Sequence, residues 1–209
     1  MSDRIELPAP TDTEMDMSAA LSRRRSIRQY SDTSLDLDSV AHALWAAQGA
    51  TAEGGGRTAP SAHAAHPLRT YLVSTNVSGL EPGIYAYDQQ AHALAALAQS
   101  SDVARRLWDA ALDEQPWLTE EPAIIVLTGD AALMTAHFME QPPVGQRGER
   151  YLYLEAGAAA ENVYLAATAL GLGTVLVAGF DDDAAHAALD VDDDVRVLAL
   201  LPLGRPAAD

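Results

Sequence analysis

The sequence predicts an α+β fold in one main domain, residues 13–209, preceded by an extended N-terminal arm, residues 1–12. Helical and strand patterns are mixed along the chain but do not alternate as regular βαβ units, which favours α+β over a doubly wound sheet. The chain has 209 residues, a length typical of one large domain, and 48% of them are hydrophobic, which supplies a substantial core.

The N-terminal half is expected to contain two helices, a loop rich in small residues and three strands. Capping residues and glycines mark the ends of the helices. The predicted elements are a helix over 13–24, a helix from Asp36 or Asp38 closed by Gly49, a Gly/Ala-rich loop over 50–65 that contains Gly54 to Gly56, a strand over 68–74, and a hairpin of strands 83–87 and 93–97.

The C-terminal half is expected to contain a long helix between shorter helices and strands. The predicted elements are a helix from Ser101 to Leu112, a buried strand over 123–127, a helix through Met134 and Phe138, a long helix over 150–170, a strand over 174–177, a helix capped by Asp181, and a last strand over 195–203. The second half of the long helix is apolar nearly all round, which indicates burial in a core or a subunit interface.

The composition excludes several kinds of chemistry. The chain has no cysteine and no lysine, which excludes thiolate catalysis, cysteine-bound metals, Schiff bases and a P-loop. Its net charge of −17 argues against nucleic acid and anionic membranes as partners, and is typical of an acidic surface adapted to high salt.

No targeting segment is evident, and a cytoplasmic location is expected. The charge-free stretch 162–180 is interrupted by glycines, so a buried helix and strand are favoured over a membrane span.

Four of the thirteen basic residues lie within six positions, in the run Arg23-Arg24-Arg25-Ser26-Ile27-Arg28. If this run were helical, Arg24 and Arg28 would repel each other at the i, i+4 spacing. A bound anion would remove that penalty, and guanidinium groups suit a phosphate. The alternative is a solvated basic patch paired with nearby acids.

A second candidate is the loop from Arg57 to Leu68, which contains Pro60, Ser61, Ala62 and two histidines. Its small residues would let a flat ligand approach the backbone closely. His63 and His66 have an H-x-x-H spacing, but no nearby acid completes a metal-ligand set, so hydrogen-bonded histidines are favoured and no metal is expected.

The glycines near residue 173 do not form a dinucleotide-binding fingerprint, because the order is helix to strand and position 176 is Leu. Gly179 follows a buried strand, and its backbone amide could face a ligand. Arg205 adds one more cation after the last strand, available to an anion or to solvent. No G-x-S-x-G nucleophile elbow exists, and no catalytic side chain is assigned.

Together these segments resemble the FMN-dependent nitroreductase family, most closely its azoline-oxidase branch. The resemblance rests on four motifs in the family's order: Arg24-Arg25-Ser26-Ile27-Arg28-Gln29-Tyr30; Pro60 to Leu68; Gly157, Asn162, Leu165, Ala167, Gly171, Leu172 and Gly173; and Gly179-Phe180 with Pro202 and Gly204. It covers the chain from about residue 20 to the end.

The resemblance implies a three-layer α+β sandwich with a mixed, mostly antiparallel sheet, in an intertwined homodimer that binds FMN at the subunit interface. It implies that Arg24, Ser26 and Arg28 hold the phosphate and ribityl end, with Arg205 as a further contact. Arg25 would reach toward the isoalloxazine edge. The partner subunit would line the flavin with Pro60, Ser61, Ala62 and His63, and Ala178 and Gly179 would place backbone amides near N5.

Three functions remain open. The first is an FMN-dependent oxidoreductase that passes electrons from NADH or NADPH to a small acceptor, such as a nitro compound or quinone, in a ping-pong cycle. The second is a flavin-dependent dehydrogenase acting on a peptide azoline or another C–N bond. The azoline-oxidase branch carries a Lys-Tyr pair before the long helix, where this chain has Gln146-Arg147. The third is a non-catalytic flavin-binding partner subunit.

Overall fold

The computed structural model describes residues 4–52, 55–113, 115–192 and 194–207, over which it has nine strands and seven α-helices. The helices are α1 Met17–Arg23, α2 Leu37–Gln48, α3 Val103–Asp109, α4 Trp117–Glu120, α5 Ala131–His137, α6 Arg147–Ala169 and α7 Asp182–Leu189. The strands are β1 Arg4–Glu6, β2 Ala50–Ala52, β3 Gly56–Arg57, β4 Leu68–Ser74, β5 Gly83–Asp88, β6 Ala93–Gln99, β7 Ala123–Gly129, β8 Gly173–Thr174 and β9 Arg196–Gly204.

Seven strands form one central sheet in the order β1-β6-β5-β4-β7-β9-β8. Every neighbouring pair of these strands is antiparallel. A parallel bridge between Ser26 and Thr174 adds the segment after α1 to the β8 edge. The predicted α+β class with a mostly antiparallel central sheet is therefore confirmed.

Alternation along the central strands divides the core into two apolar layers. On β7, Ile125 and Leu127 belong to the layer covered by α2, α5 and α6, whereas Ile124 and Val126 belong to the layer covered by α3 and α7. All seven residues of β7 are buried, because helices cover both faces of the sheet at its centre. The result is the predicted three-layer sandwich.

Aspartate caps fix the starts of several helices. The side chains of Asp36, Asp130 and Asp181 accept hydrogen bonds from backbone N–H groups three residues later, at 2.7–2.8 Å. Each bond satisfies one of the N–H groups that a first helical turn leaves without a partner. Gly171 follows α6 with a left-handed φ of 69°, a conformation that glycine adopts without strain and that ends the helix.

Two predicted helices are shorter than expected. The first begins at Met17, not near residue 13, because Asp16 caps it by accepting from the Ala19 N–H at 2.8 Å. It ends at Arg23, close to the predicted end, so Arg24 and Arg28 do not face each other at an i, i+4 spacing on a helix. The helix predicted to reach Leu112 ends at Asp109.

Tertiary pairing also changes several strands and loops. Of the strand predicted over 174–177, only Thr174 lies in β8, and Val177 makes an isolated bridge with Leu200. Within the predicted arm, β1 pairs with β6 and forms one edge of the central sheet. The loop predicted over 50–65 contains the β2–β3 hairpin, and Gly54 of that loop lies outside the described residues.

The long helix α6 spans 23 residues and packs against α1, α2 and α5. Its contact with α5 is very close, since a Cβ on Gly148 would lie 2.1 Å from the Met134 carbonyl oxygen. On its outer side Tyr153 and Leu154 are exposed, Leu154 to 64%. None of the helices in the described segments combines the length and apolarity needed to cross a membrane.

Candidate functional site

The segment after α1, which carries three of the predicted arginines, is fixed to the edge of the sheet by backbone hydrogen bonds. Next to the Ser26–Thr174 bridge, the Ile27 N–H donates to the Thr174 carbonyl at 2.9 Å. Farther along, the Ser31 N–H donates to the Arg205 carbonyl at 2.9 Å. The chain's C-terminal segment therefore lies beside the Arg24–Arg28 segment, although the two are far apart in sequence.

Aromatic rings support two of these arginines. The Arg24 guanidinium carbon lies 5.2 Å from the centroid of the Tyr164 ring, and that of Arg28 lies 5.6 Å from the Trp117 ring. Stacked guanidinium groups keep their N–H donors free at the edges. Arg25 instead folds back, and its Nη1 donates to the Arg24 carbonyl at 2.7 Å, so in this conformation it does not extend outward.

Carboxylates neutralise this arginine cluster, defined as Arg24, Arg25, Arg28 and Arg205, only in part. Arg24 Nε lies 3.9 Å from Glu161 Oε1, and Arg205 Nη2 lies 3.6 Å from Asp36 Oδ2, both longer than a direct hydrogen bond. Among the described residues, no carboxylate lies within ion-pair distance of Arg25 or Arg28. In a chain of net charge −17, a set of donors with so few anionic partners suits an anionic ligand.

The Tyr164 hydroxyl joins α6 to two other parts of this region. It accepts a hydrogen bond from the Leu176 N–H at 2.8 Å and shares another with the Ser26 hydroxyl at 3.1 Å. One phenol thus positions the serine of the arginine motif relative to the segment that leads to Gly179. The Tyr164 side chain is largely buried, whereas Ser26 is exposed.

The backbone at Gly179 is held on its carbonyl side and open on the other. Its carbonyl accepts from the Leu112 N–H at 3.0 Å and from Gln115 Nε2 at 3.1 Å. A Cβ built on Gly179 would meet only Gln115 Nε2, at 3.8 Å. Ala178 beside it is exposed. A planar ligand can therefore approach this backbone closely.

The Pro60 loop, residues 60–66, is attached to α6 through a buried carboxylate. Glu155 Oε1 accepts from the Ala62 N–H at 2.7 Å, and the Ser61 hydroxyl accepts from the His66 N–H at 2.8 Å. Burial raises the pKa of Glu155, and the hydrogen bonds from Ala62 and Ser61 oppose that rise only in part. The loop borders a cavity of about 290 Å³ lined by Pro60, Ser61, Ala62, Tyr151, Leu154 and Glu155.

Three residues of the Pro60 loop have left-handed backbone conformations without being glycine. The φ angles are 53° at His63, 54° at Ala64 and 49° at His66. Such conformations cost of order 1 kcal/mol or more each for residues with a Cβ, and they concentrate at ligand-binding sites. The Glu155 carboxylate, which fixes the start of the loop, helps to maintain this strained path.

A metal-binding H-x-x-H motif would require the side chains of His63 and His66 to face one ion. His63 instead pairs with a different histidine. Its Nδ1 lies 3.3 Å from Nε2 of His137, the last residue of α5, and its ring packs on Phe138 with 4.9 Å between centroids. His66 Nδ1 is buried and has no hydrogen-bond partner in the described part of the chain. The segments described contain no group of three or more histidine or acidic side chains arranged to hold a metal ion.

The predicted site residues form two groups within one chain. Arg24, Ser26 and the segment that leads to Ala178 and Gly179 contact Tyr164, while Arg28 lies over Trp117 and the Arg205 backbone pairs with Ser31. Pro60, Ser61, Ala62 and His63 come together around Glu155. Because Glu155 and Tyr164 are nine residues apart on α6, they are about 13 Å apart along the helix axis and on opposite sides of it. One chain therefore does not bring the two groups to a single point.

Several residues that organise the site were not identified from the sequence, namely Tyr164, Glu155, Trp117, Gln115 and His137. Each acts on a residue distant in sequence, so local patterns contain little signal for it. A carboxylate within an apolar stretch of helix was the one available signal, and it applied to Glu155, which is only 6% exposed.

Comparisons with known proteins identify the family of the chain. The family model described as the nitroreductase family matches residues 21–205. A protein of Methanocaldococcus jannaschii, named as a candidate nitroreductase, is 36% identical over 205 residues, which are 98% of each chain.

Solved structures show the same fold. A candidate nitroreductase from Ralstonia eutropha is 26% identical with a TM-score of 0.79, covering 99% of this chain and 90% of that one. One from Anabaena variabilis is also 26% identical, with a TM-score of 0.82, and this chain spans 42% of its length. The Escherichia coli microcin synthetase McbBCD complex, with truncated pro-MccB17 bound, contains a chain of the same fold (TM-score 0.75, 20% identity, 95% and 76% coverage).

Proposed function

The chain belongs to the nitroreductase family of oxidoreductases, and we propose that it binds FMN and transfers electrons from NADH or NADPH to a small organic acceptor. A nitro compound or a quinone is the expected class of acceptor. When bound, FMN would supply the hydride chemistry, and the protein would bind, orient and shield it. The nicotinamide and the acceptor would use the same open face in turn, which is a ping-pong cycle.

The observation that carries this proposal is the arginine cluster with its few anionic partners. FMN ends in one phosphate, and Arg24 and Arg28 offer guanidinium edges to it from stacked positions on Tyr164 and Trp117. The exposed Ser26 hydroxyl adds a neutral donor. The donor set therefore fits a terminal phosphate and requires no lysine or metal.

The backbone at Ala178 and Gly179 suits the redox-active part of the flavin. Gly179 leaves room for a flat ring to approach, since a Cβ there would meet nothing closer than 3.8 Å. Its carbonyl accepts two hydrogen bonds, which fix the Gly179–Phe180 peptide and so the position of Gly179. An amide held in place near N5 would stabilise negative charge at that atom without rearranging during the reaction.

A homodimer would bring the second group of site residues to the flavin. In one chain the Pro60 loop lies away from the arginine cluster, so Pro60 to His63 would contact a flavin held by the other subunit. Apolar side chains exposed on α1 and α6 support this arrangement: Met17 is 64% exposed, Leu21 55% and Leu154 64%. Burying such surface against a second copy is the usual way to remove it from water.

A dehydrogenase acting on a peptide azoline or another C–N bond is the second candidate. Its support is the shared fold with a chain of the microcin synthetase complex, whose structure contains a bound pro-peptide. Against it, Gln146 and Arg147 stand where the azoline-oxidase branch has Lys-Tyr, and Arg147 hydrogen-bonds to the Pro142 carbonyl. An arginine side chain is almost never neutral and is a poor base.

The test is FMN affinity in four variants, measured by quenching of flavin fluorescence at one fixed, high salt concentration. Each charge-assisted contact to a phosphate contributes about 1.5–3 kcal/mol, so Arg24→Ala and Arg28→Ala should each weaken binding roughly tenfold to a hundredfold. Ser26→Ala should have a smaller effect. Arg23→Ala is the matched control, because Arg23 is exposed in the last turn of α1.

Equal, small effects in all four variants would mean that the cluster is surface charge and that FMN, if bound, is held elsewhere. Reduction of the bound flavin by NADH or NADPH, followed by turnover with an acceptor, separates an enzyme from a non-catalytic flavin-binding subunit. Turnover only with an azoline peptide would favour the second candidate.

A further inference from the structure

We propose that His63 and His137 form a two-histidine proton relay that delivers a proton to the reducible substrate beside the flavin. The inference rests on the proposed flavin function, in which the Pro60 loop borders the flavin of the other subunit. It assigns proton transfer to side chains, whereas the family resemblance assigned no catalytic side chain to this chain. The carrying observation is the 3.3 Å separation between His63 Nδ1 and His137 Nε2.

The geometry of the two rings suits proton transfer through the pair. At 3.3 Å the facing nitrogens are close enough for one N–H to donate to the lone pair of the other ring. Each ring has a second nitrogen, Nε2 on His63 and Nδ1 on His137. A proton taken up at His137 Nδ1 can therefore be balanced by a shift across the pair and release from His63 Nε2.

Both histidines are exposed, yet each is held in position. His63 packs on Phe138, whose ring in turn contacts Tyr151 at 4.7 Å between centroids. His63 also belongs to the strained Pro60 loop, which Glu155 fixes to α6. His63 directly follows Ala62, which lines the 290 Å³ cavity of the Pro60 loop, and it carries an imidazole at a left-handed φ that a glycine would adopt at no cost.

The reaction needs one proton for each hydride transferred. A quinone becomes a hydroquinone by accepting a hydride, which NADH or NADPH supplies through the flavin, and one proton. Hydride addition reduces the quinone and leaves a negative charge on one oxygen. His63 Nε2–H donates to that oxygen, forming the O–H bond, and His137 returns a proton from solvent to the pair. Ferricyanide, by contrast, accepts a single electron and no proton.

Other titratable groups near the pair come from two elements. The loop contributes His66, and the first half of α6 contributes Arg147, Tyr151 and Glu155. All four of these groups remain in the His63 and His137 variants. A change of rate over pH 5–8 that disappears on substitution of either His63 or His137 therefore reports the pair, because Glu155 and His66 remain in both variants.

The experiment compares menadione and ferricyanide as acceptors for the flavin-loaded, full-length protein. The variants are His63→Asn, since asparagine tolerates a left-handed φ, and His137→Gln. His186→Gln, in α7, is the matched control for loss of a histidine. FMN affinity by fluorescence quenching is measured on every variant. The readouts are the ratio of menadione to ferricyanide turnover and the dependence of that ratio on pH.

We expect the ratio to fall at least tenfold in both relay variants, with loss of its pH dependence, because a positioned general acid typically contributes a hundredfold or more. The control should keep both. An unchanged ratio and pH profile in variants that bind FMN normally would overturn the relay while leaving the proposed function intact. A protein that neither binds FMN nor turns over either acceptor would overturn both.

Discussion

Glu121 is a buried carboxyl group whose substitution should stabilise the protein. It lies between α4 and β7, is only 2% exposed, and neither of its carboxyl oxygens has a hydrogen-bond partner among the described residues. Its backbone carbonyl, by contrast, accepts from the Thr75 hydroxyl at 2.6 Å. Burial raises the pKa of Glu121 well above its ordinary value of 4.5, so the folded state favours the neutral form.

The sign of the pH dependence follows from that raised pKa. Below pH 4.5 the folded and unfolded states both hold the proton, and the stability associated with it is fully present. As the pH rises toward the folded-state pKa, the unfolded chain gains by ionising, and about 1.4 kcal/mol is lost for each pH unit. Glu121→Gln cannot ionise, so its advantage should be absent near pH 4 and reach at least about 1 kcal/mol at pH 7.

Urea denaturation at pH 4 and pH 7, at one salt concentration, measures this difference. Glu120→Gln is the matched control, because Glu120 is the exposed neighbour in the same segment. Subtracting its effect removes the general benefit of lowering a net charge of −17. A Glu121→Gln variant less stable than the parent at pH 7 would refute the reasoning, since it would mean that the ionised carboxylate has a stabilising partner.

Two further predictions concern packing. Gly148→Ala should lower the free energy of unfolding, measured by urea denaturation, by about 1–3 kcal/mol or more, because its Cβ would lie 2.1 Å from the Met134 carbonyl oxygen. Arg150→Ala, at an exposed position, should be nearly neutral. Equal effects of the two substitutions would contradict a close α5–α6 contact. The protein should be a dimer by light scattering at high salt, and Leu154→Arg should give monomers with weakened FMN binding. Leu97→Arg, at an exposed leucine of β6, should do neither, and a monomeric parent would contradict the proposed interface.

Local sequence patterns predicted much of the architecture. The strand over 68–74 was predicted at its observed bounds, and aspartate caps predicted the starts of α2 and α7, because capping and alternation depend on residues a few positions apart. The motif around Ser26 is equally local, and phosphate binding by its residues stays a prediction that the FMN affinities of the four variants test. Each of these patterns is contained within one short segment.

Only the tertiary structure decided how those segments meet. The strand predicted over 174–177 is interrupted because Leu176 donates to Tyr164, and Val177 reaches only a single bridge on β9. Glu155 contacts the Pro60 loop at Ala62, which is 93 residues away in sequence. His137 contacts the same loop at His63, which is 74 residues away. Long-range contacts of this kind depend on how α5, α6 and the sheet pack together, and no local spacing encodes that packing.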